Sequence, residues 1–257
     1  MIELNNLTKV FRDRRRGEIR AVDGISFTCR PGRIFGLLGA NGAGKTTTLR
    51  LLATLIEPTS GGGRVDGFDL IGEPERVRSR IGFLSGTTGL YGRLTVREML
   101  AYFGQLNGMS GRALQERIDE LIGLLEMETF AKGRCDQLST GQRQRVSIAR
   151  SIVHAPPVMI FDEPTSGLDI MSSRTIMQFI ERCRDDGRTV LFSTHVMSEV
   201  ERLCDEIAII HNGRLAGQGT LAELRDRTGR QALEAVFLSV VGAEAGSGQP
   251  APGALQP

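Results

Sequence analysis

The sequence of 257 residues lacks features that several classes of protein require. Its four cysteines lie far apart and form no C-x-x-C pair, which argues against a zinc site or a compact disulfide framework and favours a reducing compartment. Basic and acidic side chains nearly balance, 32 against 30, so the net charge of +2 provides no strong field to attract nucleic acid or acidic lipid.

Long apolar segments are also missing. No apolar run approaches the roughly 18 residues that span a bilayer, and the N-terminus does not show the basic-then-apolar order of a secretory signal. We therefore expect a soluble chain, so another polypeptide has to supply the membrane part of any membrane process. The one basic cluster, RDRRRGEIR at 12–20, is a solvated loop by default, and contact with a phosphate or a lipid headgroup is the alternative.

The order of apolar patterns predicts the fold class. Strand patterns dominate the first third of the chain, with a hairpin at GGGRVDGFDL and a helix after Lys45 that stops before Pro58. EIAIIHNGRLAGQG predicts another hairpin, with Asn212-Gly213 at its turn. Helix patterns run from residue 95, where Thr95 and Glu98 have capping-box spacing, to residue 154, and strands then alternate with helices. This alternation predicts an α/β fold with a mostly parallel, doubly wound sheet. In such sheets the ligand lies at the carboxyl ends of the strands.

The same patterns divide the chain into segments. A core at 1–86 and 156–228 holds the strands, and residues 87–155 form a helical insertion. A short C-terminal helix is predicted at 229–242. Residues 243–257, rich in Gly, Ala and Pro, are predicted to be a disordered tail.

A phosphate-binding loop is predicted at GANGAGKT, residues 39–46, which matches G-x-x-x-x-G-K-[ST] between an apolar strand and a helix. Glycines let the backbone N–H groups point inward, Lys45 offers charge to the β- and γ-phosphates, and Thr46 offers a hydroxyl to Mg²⁺. A glycine-rich turn of purely structural purpose would need neither the lysine nor this context. The residues expected to hold the nucleotide are Gly39, Asn41, Gly42, Ala43, Gly44, Lys45, Thr46 and Thr47.

The apolar strand VMIFDEP predicts the metal ligand and the base. It delivers Asp162 to the cation, directly or through water, and places Glu163 where a nucleophilic water can lie. Hydrolysis is therefore favoured over phosphorylation of a substrate, and the guanine-reading N-K-x-D motif is absent. The alternative is a polar strand-to-turn junction that ends at Pro164.

His195 follows the strand TVLFS, so the fold rule places it at the same sheet edge as the phosphates. There it can donate a hydrogen bond to the γ-phosphate during cleavage. A structural histidine at a strand end is the alternative, and it is the reading we favour for His154 and His211.

A second site for an anion is predicted in LSTGQRQRVSIAR at 138–150. Ser139 and Gln142 have capping-box spacing, and the N–H groups and dipole of a helix start favour an anion. As a plain N-cap, Ser139 would contribute only about 0.5–2 kcal/mol to its own helix. That alternative explains the serine but not the Gly-Gln that follows.

Taken in order, GANGAGKT, LSTGQ, VMIFDEP, SGLD and STH resemble the ATP-binding cassette (ABC) family over residues 1–228. The resemblance implies a RecA-like P-loop NTPase core with an N-terminal antiparallel β subdomain and an inserted helical subdomain. It also implies that two cassettes face each other head to tail. Ser139, Gly141 and Gln142 of one cassette would then close over the ATP that the other holds.

The resemblance implies roles for two further residues. Phe11 matches the aromatic residue that stacks on adenine, although it could instead be a core residue that ends the first strand. Asp169 belongs to the loop at 166–169 that crosses between the two sites, and it also suits an N-cap of the next helix.

The sequence departs from the family pattern at two positions. Gly86 stands where most members have a glutamine that reaches Mg²⁺, so water or the Thr87 hydroxyl would have to coordinate the ion, and we expect slower but real ATP hydrolysis. Thr140 replaces the first glycine of LSGGQ, which is a milder change because Gly141 is kept.

The resemblance implies an ATPase that uses ATP and Mg²⁺ and energises a separate multi-spanning membrane subunit from the inner face of the cell membrane. GTTGLYGRLTVREML resembles the export branch, with sodium extrusion first and drug or lipid export as rivals. A membrane segment would dock near residues 86–102, and a second copy of the chain would complete the dimer. The alternatives are a soluble cassette that acts on ribosomes or DNA, and a nucleotide-gated scaffold with little turnover. No nucleic-acid partner is expected.

Overall fold

The structure is a computed structural model of the chain and describes residues 1–13, 17–86 and 89–247. The strands are β1 (Ile2–Asp13), β2 (Gly17–Cys29), β3 (Ile34–Leu38), β4 (Ser60–Val65), β5 (Phe68–Asp69), β6 (Ile81–Leu84), β7 (Val158–Asp162), β8 (Thr189–Thr194), β9 (Glu206–His211) and β10 (Arg214–Gly219). The helices are α1 (Lys45–Leu52), α2 (Pro74–Arg80), α3 (Val96–Leu106), α4 (Gly111–Leu124), α5 (Thr140–Ile152), α6 (Ile170–Asp185), α7 (Met197–Leu203), α8 (Leu221–Thr228) and α9 (Leu233–Ser247), with a 3-10 helix at Cys135–Gln137.

The strands form two sheets. An antiparallel sheet has the order β2-β1-β4-β5, and a six-stranded sheet has the order β10-β9-β3-β8-β7-β6. The six-stranded sheet is parallel from β9 to β6, and only β10, at its edge, pairs antiparallel. The predicted α/β fold, with a mostly parallel sheet and an N-terminal antiparallel β subdomain, is confirmed.

Apolar composition explains which strands are central. Every residue of β3, β7 and β8 is buried, because helices or the second sheet cover both faces of the parallel sheet. Adjacent central strands then end together, which places Leu38, Asp162 and Thr194 at one edge of the sheet.

Two of the hairpins form tight turns with a left-handed backbone. Asn212 and Gly213 have φ of 45° and 79°, and Asp66 and Gly67 have φ of 51° and 85°. Such values suit the two-residue turns whose twist matches that of the flanking strands. Both hairpins follow the sequence prediction.

The apolar core continues from the sheet into the helices of the insertion. Helices α3, α4 and α5 bury their apolar faces in the same cluster as Ile34, Phe161 and Val190 of the sheet. A second cluster lies between the antiparallel sheet, α1 and the opposite face of the parallel sheet. The predicted insertion at 87–155 therefore shares an apolar core with the sheet, and its boundaries stay a prediction.

Three helices differ from the sequence prediction. α1 ends at Leu52 instead of continuing towards Pro58, because Thr54 adopts a left-handed φ of 54° and Leu55 N donates to Arg50 O at 3.0 Å. α2 was not predicted, although Pro74 at its first turn is a start signal.

The third difference is at the C-terminal end. α9 spans Leu233–Ser247, so both bounds of the helix predicted at 229–242 are wrong. Gly229 ends α8 with φ of 66°, and α9 begins later because Leu233 and Val236 are its first buried residues. Residues 248–257 of the predicted tail lie outside the described residues. No helix in the described part of the chain is long and apolar enough to cross a membrane.

Candidate functional site

The loop between β3 and α1 forms a cradle. Gly42 and Gly44 have φ of 80° and 109°, which side chains other than glycine rarely adopt. A Cβ atom on Gly44 would also lie 2.5 Å from Ala21 O, so β2 packs directly against the loop. The loop encloses a cavity of about 140 Å³, lined by Ala21, Ala40, Asn41, Gly42, Gly44, Lys45, Thr46, Thr47 and Glu163.

Two predicted phosphate contacts do not line this cavity. A Cβ atom on Gly39 would lie 2.4 Å from Ile210 O, so this glycine allows β9 to approach the loop. Ala43 is buried, and its carbonyl accepts a hydrogen bond from Gly213 N at 2.8 Å. The two residues thus anchor the cradle to the β9-β10 hairpin.

Lys45 is almost fully buried beneath the loop. Its Nζ donates to Gly39 O at 2.7 Å and to Ala40 O at 3.2 Å, and it lies 3.4 Å from Glu163 Oε1. These oxygens compensate the cost of burying the ammonium. An incoming phosphate would meet this charge at the floor of the cradle.

Thr46 and Asp162 offer oxygen atoms to a cation. Thr46 Oγ1 donates to Asp162 Oδ1 at 3.1 Å, and Ser193 Oγ donates to the same oxygen at 2.6 Å. Adjacent ligands of an octahedral Mg²⁺ at about 2.1 Å lie about 3 Å apart, so this hydroxyl and carboxylate fit the ion. No group of three His, Cys, Asp or Glu among the described residues could hold a metal, so phosphate and water would supply the other ligands.

Glu163 and His195 meet at the carboxyl ends of β7 and β8. Glu163 Oε1 lies 3.2 Å from His195 Nδ1, and Glu163 N donates to Ser193 Oγ at 3.0 Å. Glu163 has a φ of 48°, a strained conformation of a kind that clusters at active sites. The structure thus brings Lys45, Glu163 and His195 together around one carboxylate.

Sequence reasoning missed Ser193 as a site residue. It is fully buried, and its hydroxyl contacts both Asp162 and the backbone of Glu163. The available signal was its position near the end of a buried strand, two residues before the predicted histidine.

The start of α5 has the predicted capping box. Gln142 N donates to Ser139 Oγ at 3.3 Å, and Ser139 N donates to Gln142 Oε1 at 2.9 Å. Ser139 is exposed, Gly141 is buried, and Gln142 is half-buried. Within the described chain none of the three lines the cavity of the phosphate loop.

Asp169 is the N-cap of α6. Its Oδ1 accepts from Ser172 N at 2.9 Å and its Oδ2 accepts from Ser172 Oγ at 2.8 Å. Both bonds hold the pKa of the Asp169 carboxyl below its ordinary value, and the bond from the Ser172 backbone N–H has the larger effect. The N-cap reading is confirmed, and the role between two ATP sites stays a prediction.

Phe11 is an exposed aromatic residue rather than a core residue. It is 41% exposed, pairs across the strands with Ile19, and has Lys9 Nζ 5.3 Å from its ring centroid. Ala21, two residues beyond Ile19, lines the phosphate cavity. An aromatic face is therefore available on the strand pair that flanks the loop.

Gly86 is exposed, and a Cβ atom there would meet nothing within 4 Å. Thr87, proposed as a substitute ligand, lies outside the described residues.

A groove lies between the sheet and the inserted helices, near the predicted docking surface at 86–102. It has a volume of about 400 Å³, and its lining includes Leu55, Tyr91, Phe103 and Arg150. Arg150 is buried over the Phe103 ring and donates to Gly89 O at 3.1 Å.

Residues 22–166 match a family described as ABC transporter. The chain is 42% identical to the ABC transporter ATP-binding protein NatA of Bacillus subtilis, over 93% of this chain and 97% of that protein. It is 40% identical to the Nod factor export ATP-binding protein I of Ralstonia nicotianae, over 82% of this chain and 66% of that protein. A dimeric, post-hydrolysis structure of an ATP-binding cassette bound to ADP and Pi superposes with a TM-score of 0.78 at 29% identity, over 86% of this chain and 99% of that one.

Proposed function

The chain belongs to the ABC transporter family of ATP-binding proteins, and we propose that it is the ATP-hydrolysing subunit of an exporter. The observation that carries the proposal is the position of Glu163 Oε1, 3.4 Å from Lys45 Nζ and 3.2 Å from His195 Nδ1. One carboxylate thus lies beside both a phosphate-binding cation and a hydrogen-bond donor. The likeness to a Nod factor export protein supports the direction of transport.

The site residues have separate roles in the proposed reaction. Lys45 binds the β- and γ-phosphates, Glu163 accepts the proton of the attacking water, and His195 donates to the γ-phosphate as its charge develops. Phe11 stacks on the adenine. Mg²⁺, when held by Thr46 and Asp162, would neutralise phosphate charge.

Two copies of the chain would complete the site. Ser139, Gly141 and Gln142 do not line the phosphate cavity of their own chain, so we assign them to the nucleotide of the second copy. A shift of an open-to-closed ratio from 1:99 to 99:1 needs about 5.5 kcal/mol, shared between two ATP molecules. One or two charge-assisted hydrogen bonds at each γ-phosphate, each about 1.5–3 kcal/mol, can supply it.

The groove between the sheet and the inserted helices would receive the separate membrane subunit. Leu55 and Tyr91 are more than half exposed there, and Arg78 and Arg150 add positive charge. We therefore propose that the chain works at the inner face of the membrane. The candidate cargoes remain sodium, a drug or a lipid.

The deciding experiment compares the wild-type chain with Glu163→Gln. We expect the substitution to lower ATP turnover by at least about 100-fold, because general-base catalysis contributes roughly 10²–10⁴. With MgATP, the variant should have twice the mass of the 28.0 kDa chain by light scattering.

The control is Glu116→Gln, on the exposed side of α4 in an ion pair with Arg112. It should retain wild-type turnover. Unchanged turnover in Glu163→Gln would refute the assignment of the base. A single-chain mass, both alone and with the membrane subunit, would refute the dimer.

A further inference from the structure

A buried carboxylate that the proposed mechanism does not use lies beside the site. Glu199 is in the first turn of α7, and 7% of its surface is exposed. Its Oε2 accepts a hydrogen bond from Thr194 Oγ1 at 2.6 Å, and its Oε1 accepts one from Thr165 Oγ1. We call Thr165, Thr194 and Glu199 the Glu199 clasp.

The clasp holds a buried carboxyl group that forms no ion pair among the described residues. No basic side chain in the described part of the chain forms an ion pair with Glu199. Burying a carboxylate costs free energy unless hydrogen bonds satisfy it, and here two buried hydroxyl groups do so. An apolar residue at this position would avoid that cost, so stability alone does not account for the glutamate.

The clasp connects two catalytic segments. Thr194 directly precedes His195, and its Oγ1 also accepts from Val196 N at 3.0 Å, so the backbone is held on both sides of the histidine. Thr165 follows Glu163 by two residues and begins the loop that ends at Asp169. Glu199 thus bonds to a hydroxyl group in each segment.

These contacts have a mechanical consequence. A shift of the backbone at His195 would displace Thr194, and Thr194 is hydrogen-bonded through Glu199 to Thr165, at the start of the loop at 165–169. A cavity of about 280 Å³ beside the clasp, lined in part by Ser166, Leu168 and His195, leaves space for the loop to shift.

We propose that Glu199 is a positioning residue that couples His195 to the loop at 165–169, so that hydrolysis at one ATP site changes the rate of hydrolysis at the other. The inference rests on the proposed function, because it needs two ATP sites in a dimer of this chain. Loss of the clasp leaves ATP binding intact but uncouples the sites.

Thr165→Val tests the inference because valine keeps the shape of threonine and removes the hydroxyl. We expect kcat to fall about tenfold, which corresponds to about 1.4 kcal/mol. KM for ATP should stay within about twofold, and the Hill coefficient should fall from its wild-type value towards 1. Thr165→Ser keeps a hydroxyl donor, so kcat and the Hill coefficient should both stay at their wild-type values.

Thr175→Val is the matched control. Thr175 is a buried threonine on α6 whose hydroxyl donates to Glu126 Oε2 at 3.1 Å, outside the cavities of the site. The Thr175→Val substitution should lower the thermal midpoint without changing the Hill coefficient. If Thr165→Val does not fold, Glu199→Gln, which keeps size and one acceptor, is measured in its place.

Three outcomes would overturn the inference alone. One is a wild-type Hill coefficient of 1 in a chain that hydrolyses ATP, which would leave the ATPase assignment intact. A second is an unchanged Hill coefficient and kcat in Thr165→Val. The third is an equal loss of kcat in Thr175→Val at an equal loss of thermal stability. A wild-type chain without ATP hydrolysis would refute the proposed function and the inference together.

Discussion

Gly141 and Ser172 are in direct contact: a Cβ atom on Gly141 would lie 2.2 Å from Ser172 Oγ and 2.9 Å from Ser172 Cβ. Ser172 Oγ in turn donates to Asp169 Oδ2 at 2.8 Å. The start of α5 therefore packs on the N-cap of α6 with no space for a side chain. The LSTGQ helix and the loop that ends at Asp169 form one packed unit.

Gly141→Ala should disturb this unit. Because the added methyl group forces α5 away from Ser172, we expect ATP-dependent dimerisation of the Glu163→Gln chain to weaken by at least about tenfold, a cost of about 1.4 kcal/mol. Sedimentation at increasing MgATP measures it. The control is Gly123→Ala in α4, where the nearest atom is Glu128 Oε1 at 4.0 Å and alanine should be neutral or stabilising. Equal dimerisation of both variants would contradict the prediction.

Gly86→Gln should accelerate ATP hydrolysis and lower the Mg²⁺ concentration that it requires. The position is open, so the longer side chain can be accommodated and can offer an amide oxygen to the ion. Gly86→Ala, which adds a Cβ without the amide, should leave the rate unchanged. An unchanged rate and Mg²⁺ requirement in Gly86→Gln would show that residue 86 does not occupy the metal-binding position.

Phe11→Ala should weaken ATP binding with little effect on kcat. Stacking of a base on an aromatic side chain contributes about 1–3 kcal/mol, so the Kd measured with a fluorescent ATP analogue should rise by about 5- to 150-fold. Phe11→Leu keeps much of the apolar area without the aromatic face and should also weaken binding, whereas Phe11→Tyr should not. Equal affinity of the leucine and tyrosine variants would assign Phe11 to apolar packing alone.

His154 should make stability depend on pH. Its Nε2 lies 3.1 Å from Ile81 O, its Nδ1 has no partner in the described chain, and burial, together with the nearby charge of Arg117, lowers its pKa. In the unfolded chain His154 takes up a proton near pH 6.5, whereas in the folded chain it does so only at lower pH. The contribution of neutral His154 to the free energy of unfolding is therefore complete above pH 6.5 and is lost as the pH falls below that value.

His154→Gln keeps an N–H group for Ile81 O and does not titrate. The thermal midpoint of the wild-type chain should therefore fall more steeply between pH 7.5 and about 5.5 than that of the variant. Parallel midpoints across this range would show that His154 is not the group responsible.

Local sequence patterns predicted much of the fold. β3, β7 and β8 each contain an apolar run, and the capping boxes at Thr95 and Ser139 form as their spacing indicates. The bounds of α1 and α9 and the existence of α2 were missed. Short helices and helix ends depend on which side chains find a buried partner, and local propensity is too weak to decide that.

Short motifs were enough to predict the chemistry of the site, because the residue types and spacing of the phosphate loop, the Asp-Glu pair and the histidine indicate their ligand. Which of these groups meet depends on how the strands are arranged in the folded chain. Thr46 and Asp162 are 116 residues apart and Thr165 and Glu199 are 34 apart, and each pair touches because β3, β8 and β7 are parallel neighbours whose carboxyl ends meet at one edge of the sheet. Strand order is set by burial of both faces of the sheet, a property of the whole chain that no single motif contains.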